Sequence, residues 1–256
     1  MKKISLCGCG GRMGRAVTAL IGASDKCNIV AGVDINASEL GALCPFPVYE
    51  NINDFSGKAD VIIDFSHHSA LASLLEYSEA HSTPLVIATT GHTDEERESM
   101  LKAAEKTAVF FSRNMSIGIN LLIELCKETA SMLGEDFDIE IIEKHHNNKL
   151  DAPSGTAMMI AEALADERDG ETEFVYDRHD VRRKRAKSEI GIHAIRGGTI
   201  VGEHDVIFAG NNEIVTLSHT ATSREIFANG ALKAALFMVG KTAGMYSMTD
   251  LIAAKK

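Results

Sequence analysis

Lys3-Ile-Ser-Leu-Cys-Gly-Cys-Gly-Gly-Arg-Met-Gly14 joins a short apolar run to a glycine cluster. Lys3 to Cys7 reads as a buried strand, and the apolar stripe Met13, Ala16, Val17, Leu20, Ile21 reads as the helix that follows. A strand, a glycine turn and a helix form the opening of a dinucleotide-binding fold. The glycines let the backbone turn tightly and approach a pyrophosphate, which rests on the helix N-terminus. The GxGxxG spacing is not met, because Met13 stands at the last glycine position. GxxGxxG through Gly8, Gly11 and Gly14 is met. Alone, that motif is also compatible with a plain tight turn. Its context decides: Asn28 to Asp34 reads as a second buried strand, and Asp34 lies twenty residues beyond Gly14, where an acid accepts from a ribose diol. Gly8, Cys9, Gly10, Gly11, Arg12, Met13 and Asp34 are therefore expected to bind a nicotinamide dinucleotide. Ile35 and Asn36 follow Asp34 instead of a cation, so NADH is expected at least as readily as NADPH; Arg12 could still reach a 2′-phosphate.

Further strands are expected at Asp60–Ser66, Pro84–Gly91 and Ala108–Ser112, with helices between them. The segment 37–60 reads as a loop with a short strand. Thr93-Asp-Glu-Glu caps one of the helices. Alternation at this spacing implies an α/β fold with a doubly wound parallel, Rossmann-like sheet. Ligands of such sheets bind beyond the strand carboxyl ends, which adds Ala88, Thr89, Thr90, Ser112, Arg113, Asn114 and Met115 to the expected cofactor site. His67 and His68 are read as residues that open a helix. After the long apolar helix Ile117–Leu133 the pattern changes. Asp138–Glu143, Ile190–Ile195, Asp205–Ala209 and Glu213–Thr220 alternate apolar and polar residues, which predicts a second α+β domain with an open, mostly antiparallel sheet. The boundaries expected are 1–116 plus 225–256 for the dinucleotide-binding domain and 117–224 for a substrate-binding and oligomerisation domain. A final helix begins at Ser223-Arg224-Glu225.

Glu143-Lys-His-His-Asn-Asn-Lys-Leu-Asp-Ala-Pro-Ser-Gly-Thr156 lies between a strand end and a helix start. Ser154 reads as the helix N-cap. The backbone N–H groups of Gly155 and Thr156 then face outward at a helix N-terminus, which favours a carboxylate or phosphate. His145, His146 and Lys149 add positive charge or protons at the same place, so the loop reads as a site for a small anion that undergoes proton chemistry. Solvated histidines and an ordinary surface lysine are the plain alternative. No metal is expected, because no HExxH or CxxC pattern is present.

Length and composition set the limits. The chain has 256 residues and a formal net charge of −10. That balance argues against a general nucleic-acid binder, and the basic run Arg178–Lys187 lacks aromatic partners and reads as a solvated or subunit-contact loop. No membrane association is expected, since no apolar run reaches spanning length. Cys7, Cys9, Cys27, Cys44 and Cys126 are odd in number and read as reduced, mostly buried thiols of a cytoplasmic protein. Cys7 and Cys9 are expected on one face of a strand.

Glu143-x-His-His-x-x-Lys-x-Asp-Ala-Pro-Ser-Gly-Thr-Ala157 resembles the signature of the dihydrodipicolinate (4-hydroxy-tetrahydrodipicolinate) reductase family. So do Gly8-x-x-Gly-Arg-Met-Gly14, Ala88-Thr-Thr-Gly91, Asn114-Met-Ser-Ile-Gly118, Arg196-Gly-Gly-x-x-Val-Gly-Glu-His204 and Ser223-Arg-x-x-Phe-Ala-x-Gly-Ala231. The resemblance spans nearly the whole chain. It implies NADH- or NADPH-dependent reduction of a cyclic dicarboxylate to tetrahydrodipicolinate in lysine/diaminopimelate biosynthesis, by a homotetramer. By position it implies that His145 donates or accepts a proton, that Lys149 donates one, and that His146, Ser154, Gly155 and Thr156 hold the substrate. Many family members carry Arg and His where this chain has Asn147 and Asn148, and some carry a basic residue at Ile35. Two other readings stay open on sequence: another Rossmann-type amino-acid or semialdehyde dehydrogenase, and a non-catalytic NAD(H)-responsive regulator.

Overall fold

The computed structural model describes residues 1–254. The chain forms two compact units: Met1–Ile117 together with the chain from Glu225 onward, and Gly118–Arg224. In chain order the first unit begins with β1 (Lys2–Cys7), α1 (Arg12–Gly22), β2 (Cys27–Val33), α2 (Ala37–Leu40) and β3 (Val48–Tyr49). It continues with β4 (Val61–Asp64), α3 (Leu71–His81), β5 (Leu85–Ile87), α4 (Asp94–Ala104) and β6 (Ala108–Phe111). The second unit follows, with α5 (Ile117–Leu133), β7 (Asp138–His145), α6 (Gly155–Ala165), β8 (Glu173–Val175), β9 (Glu189–Arg196), β10 (Gly202–Ala209) and β11 (Ile214–Ala221). α7 (Glu225–Met238), β12 (Gly244–Tyr246) and α8 (Met248–Ala253) belong to the first unit again.

The first unit holds one sheet, in the order β12-β6-β5-β4-β1-β2-β3, with every ladder parallel. Its first six strands run 3-2-1-4-5-6, the doubly wound order, whose direction reverses between β1 and β4. The strands are buried on both faces, which explains their unbroken apolar runs. Val61 and Ile63 face a core with Ile4, Leu6, Val17 and Ala231, while Ile62 faces one with Leu74, Leu85 and Met100. Thr93 forms a capping box with Glu96 at the start of α4, whose first turn carries three acids.

Two expectations need correction here. Cys7 and Cys9 do not share a face. β1 ends at Cys7, the chain turns through Gly8 at φ +73°, and the two thiols enter opposite cores. Nor is the helix from Glu225 the last element: β12 adds a seventh strand beside β6, and α8 follows it. Three strand residues, Gly244-Met-Tyr, are too few to show an alternation.

In the second unit the sheet runs β11-β10-β7-β9-β8. The pairing is mixed and not mainly antiparallel. β10 is antiparallel to β11 and β7, whereas β7–β9 and β8–β9 are parallel. The crossover through α6 carries the chain back to the same end of the sheet, which makes β7 and β9 parallel. Residues alternate in and out along β7, so Ile139, Ile141, Glu143 and His145 all point inward. The two isoleucines pack with Leu122 and Cys126 of α5 and with Ile160 and Leu164 of α6. The basic run folds back onto acids of its own unit. Arg178 pairs with Glu140 and Glu189, and Arg185 pairs with Asp138 and Glu140. That explains the run as an ion-pair network holding a loop to the sheet.

Candidate active site

The glycine turn is dictated by lack of space. A Cβ on Gly14 would fall 2.2 Å from the Gly8 carbonyl oxygen, and one on Gly8 would fall 2.4 Å from the Phe65 oxygen. Helix α1 begins after N-cap Gly11 with no side-chain cap and no acid in its first turn, so its N-terminal N–H groups and positive dipole end carry no built-in anion. Asp34 is tied to the turn: its Oδ2 accepts from Gly10 N at 3.0 Å and its Oδ1 from Asn36 N at 3.1 Å. Gly11 and Arg12 are exposed, Met13 is half-buried, and the Cys9 side chain lies in the core. Burial, followed by the neighbouring Cys44 thiol and Asp34, pushes the Cys9 thiol up to about 12. It is therefore no nucleophile at neutral pH.

Other strand ends of the same sheet carry the remaining expected cofactor residues. Thr89 is buried and donates to Asp64 Oδ2 at 2.7 Å. Asp64 also accepts from Ser66 N at 2.9 Å, so this buried acid, which sequence reading did not single out, orders two strand ends. Ala88 is half-buried and Thr90 exposed. Ser112 donates to the Asn114 carbonyl at 2.7 Å, and Asn114 Oδ1 accepts from Ser116 N at 2.8 Å. The Met115 side chain belongs to the core, while Arg113 is exposed. His67 accepts from Ser69 N at 3.3 Å as a cap, and His68 pairs with Glu96 at 2.9 Å.

In the second unit the loop from β7 to α6 is built by side chains. Glu143 is fully buried and accepts four hydrogen bonds: from His145 Nδ1 at 2.6 Å, Arg196 Nη1 at 2.8 Å, Arg196 Nη2 at 2.7 Å and Ser154 N at 2.9 Å. Burial alone would raise its pKa, but these donors outweigh it and hold the carboxyl down at about 2. Arg196 also donates to the Asp151 carbonyl at 2.7 Å, pinning the far side of the loop. Ser154 is the N-cap of α6, its Oγ accepting from Ala157 N at 3.1 Å. Lys149 Nζ lies 2.9 Å from Asp151 Oδ1, and the Asp151 carboxylate also takes a hydrogen bond from the Gly155 backbone. Partial burial and then the Arg224 guanidinium lower the His146 pKa. Its ring is then neutral at pH 7 and accepts from Arg224 Nη2 at 3.0 Å.

Behind His145 stands His204, edge-on with ring centroids 5.3 Å apart. Its Nε2 lies 3.3 Å from Ser154 Oγ. Burial first, and the neighbouring His145 ring second, hold it down to about 4. The structure thus brings His145, His146, Lys149, Ser154 and Gly155 into one loop and adds Glu143, Arg196, His204 and Arg224. One signal for Glu143 was legible: an acid two residues before a histidine on the apolar face of a strand must be paired. The partner Arg196 was not legible, because it depends on the β7–β9 register that sets His145 opposite Arg196. Chemically, the loop holds a fixed imidazole, an ammonium and a helix N-terminus, the kinds of group that bind and protonate a small anion. Among the described residues no group of three or more His, Cys, Asp or Glu side chains is placed to hold a metal ion, and no helix is long and apolar enough to cross a membrane.

The same two units appear in known proteins. The family model for the dihydrodipicolinate reductase N-terminus matches residues 2–115, and that for its C-terminus matches residues 118–252. The chain belongs to the dihydrodipicolinate reductase family. A family member from Caldanaerobacter subterraneus subsp. tengcongensis, named 4-hydroxy-tetrahydrodipicolinate reductase, is 50% identical over 98% of both chains. One of the same name from Clostridium novyi is 48% identical over 100% of both. The dipicolinate-bound dihydrodipicolinate reductase of Paenisporosarcina sp. TG-14 superposes with a TM-score of 0.80 at 25% identity, covering 96% of this chain and 97% of that one. A probable dehydrogenase from Thermotoga maritima shares the fold at TM-score 0.62 and 11% identity.

Proposed function

We propose that this family member reduces 4-hydroxy-tetrahydrodipicolinate to tetrahydrodipicolinate with NADH or NADPH, each unit supplying one half of the reaction. The observation that carries this reading is the β7–α6 loop, which holds an imidazole, an ammonium and a helix N-terminus in one short segment, the last two now engaged by the Asp151 carboxylate. Gly8, Gly10, Gly11, Arg12 and Met13 would hold the dinucleotide pyrophosphate, with Cys9 shaping the turn from the core. The bare N-terminus of α1 and the space closed to any Cβ at Gly8 and Gly14 fit that group. Asp34 would take the ribose, and Ala88, Thr89, Thr90, Ser112, Arg113, Asn114 and Met115 would line the nicotinamide end, several of them through backbone. An acid at residue 34 followed by the exposed Ile35 favours NADH over a 2′-phosphate.

A reduced nicotinamide supplies the hydride when bound. The chain's own residues do the rest. Lys149, His146 and the α6 N-terminus at Gly155 and Thr156 hold the substrate carboxylates, with Ser154 fixing that terminus, and so set the ring's orientation. Lys149 leaves Asp151 for the incoming carboxylate. His145 and Lys149 supply protons where negative charge builds up on the ring. The same reading includes a homotetramer in the cytoplasm. The exposed Ile195 and Ile214 on the outer face of the second sheet support the assembly, and five free thiols support a reducing compartment.

The deciding experiment mixes the purified chain with the condensation product of pyruvate and aspartate semialdehyde and follows oxidation of NADH and of NADPH separately. Turnover with at least one nucleotide is expected. Absence of turnover with both would sink the reading.

A further inference from the structure

The question left by the site is which atom of His145 exchanges the proton and what fixes that choice. Among the described residues the ring is hydrogen-bonded through one nitrogen. Its Nδ1 lies 2.6 Å from Glu143 Oε2, and that carboxylate is itself gripped by both Arg196 nitrogens and the Ser154 amide. An ionised carboxylate only accepts, so Nδ1 must carry a proton in every state of the ring. The opposite nitrogen, Nε2, faces Gly202, where a Cβ would stand 3.1 Å away. Gly202 opens β10 and has ordinary strand pairing with Ala221, so nothing in its backbone demands glycine. The missing side chain leaves room beside Nε2.

We propose that Glu143 is a positioning residue that keeps the Nδ1 proton of His145 in place, so that Nε2, beside the gap at Gly202, is the atom that hands a proton to the substrate. This rests on the reductase reading above. In the step, the 4-hydroxyl of the substrate leaves as water to give a conjugated ring; hydride, which a bound reduced nicotinamide would supply, then adds to one end, and the displaced electron pair takes the Nε2 proton at the other end. The nicotinamide is oxidised, the ring is reduced, and His145 is left neutral with Nδ1–H still on Glu143. Solvent returns the Nε2 proton. The charged and titratable groups of the loop and the elements beside it are Glu143, His146, Lys149, Asp151 and Arg224, with Arg196 from β9 and His204 and His219 from β10 and β11. Removal of Glu143 takes away the carboxylate bonded to the imidazole.

The test uses Glu143→Gln, Glu143→Asp and Gly202→Ala in the full chain, with ring-nitrogen NMR on histidine-labelled protein and kcat and KM across pH. Comparison with His145→Gln assigns the signals. Wild type should show the Nδ1–H form when neutral. Glu143→Gln, whose amide can donate to Nδ1, should lose that single tautomer and lower kcat by about 10²-fold with KM nearly unchanged. The basic limb of its kcat profile should move to lower pH by about one unit. Glu143→Asp, which keeps the charge, should restore the position of that limb. Gly202→Ala should keep the Nδ1–H form and still lower kcat several-fold by crowding Nε2. An unchanged tautomer and unchanged limb in Glu143→Gln would overturn the proposal, and so would a wild-type ring protonated only at Nε2. If Glu143→Gln does not fold, Gly202→Ala and the wild-type tautomer decide. The tautomer is read without substrate, so a wild type that turns over no diacid removes the reductase reading while this measurement still stands or falls by itself.

Discussion

The two strand–loop–helix junctions of this chain solve one problem by opposite means. At β1–α1 the loop is four residues of which three are glycine, and the helix starts with no side-chain cap. At β7–α6 the loop is long and its helix is capped by Ser154, with Glu143 as the hub of its hydrogen bonds. On the proposed reading the first junction would meet an anion with backbone alone, so its requirement is space. The second would meet one with side chains that titrate, so its requirement is charge and protonation state. The difference teaches where each should fail: the glycine turn by steric change, and the histidine loop by pH and by loss of one charge.

The most severe test of the first half is Gly14→Ala. Its methyl group would meet three backbone atoms of Gly8 and Cys9 at 2.2 to 2.7 Å, and backbone cannot step aside as a side chain tip can. A loss of about 3 kcal/mol or more is expected, up to failure to fold. Urea denaturation measures it. A loss under about 1 kcal/mol would show that the turn is more plastic than its packing indicates.

The second half should answer to pH. His204 is buried and held at about 4, against an ordinary 6.5. Its folded-state value is depressed, so its contribution is fully present above pH 6.5 and is lost as pH falls through about 4. The lost stability is on the order of 3 kcal/mol. Glu143 acts lower, between its ordinary 4.5 and about 2, so the two windows overlap only at about pH 4 to 4.5. Denaturation of wild type and His204→Gln at pH 7, 5.5 and 4 checks this: the variant should show a flatter decline. Equal slopes would mean that His204 is protonated in the fold without penalty.

Next in size is Lys149→Ala, which should lower kcat by about 10²-fold, as expected for loss of a proton donor that also holds a carboxylate. A near-wild-type kcat at saturating diacid would restrict Lys149 to binding, visible in KM alone.

How much of this was legible beforehand follows the same contrast. The first sheet could be read because parallel strands buried on both faces leave unbroken runs such as Val61-Ile-Ile, and because glycine spacing records a lack of space directly. The pairing of the second sheet could not. Alternation in Asp138–His145 reports that one face is buried, but it says nothing of the direction of the neighbouring strand, and β9 proved parallel to it. The histidines and lysine of the loop were visible as residue types in one short segment. The partner of their organiser was not, since Glu143 meets Arg196 only across a ladder between residues 53 apart. Asp64 was hidden for a related reason: at the end of an apolar strand it looks like a turn residue, and only the neighbouring Thr89 reveals it as a buried acceptor.

The smallest predicted effect serves as a control on the contrast. Helix α4 also follows a strand end of the first sheet, yet its N-terminus is closed by Thr93 and Glu96 and carries Asp94, Glu95 and Glu96 in the first turn. Such an end satisfies its own N–H groups and repels an anion, the opposite of α1. Thr93→Ala removes the acceptor of the Glu96 N–H at 3.2 Å but keeps the Glu96 carboxylate on residue 93 N at 2.8 Å. About 1 kcal/mol of stability should be lost, with KM for the dinucleotide within twofold of wild type. Thermal denaturation gives the first quantity and initial rates the second. A larger change in KM would mean that helix N-termini in this unit act on the nucleotide together, and that α1 owes its anion affinity to more than its bare glycine start.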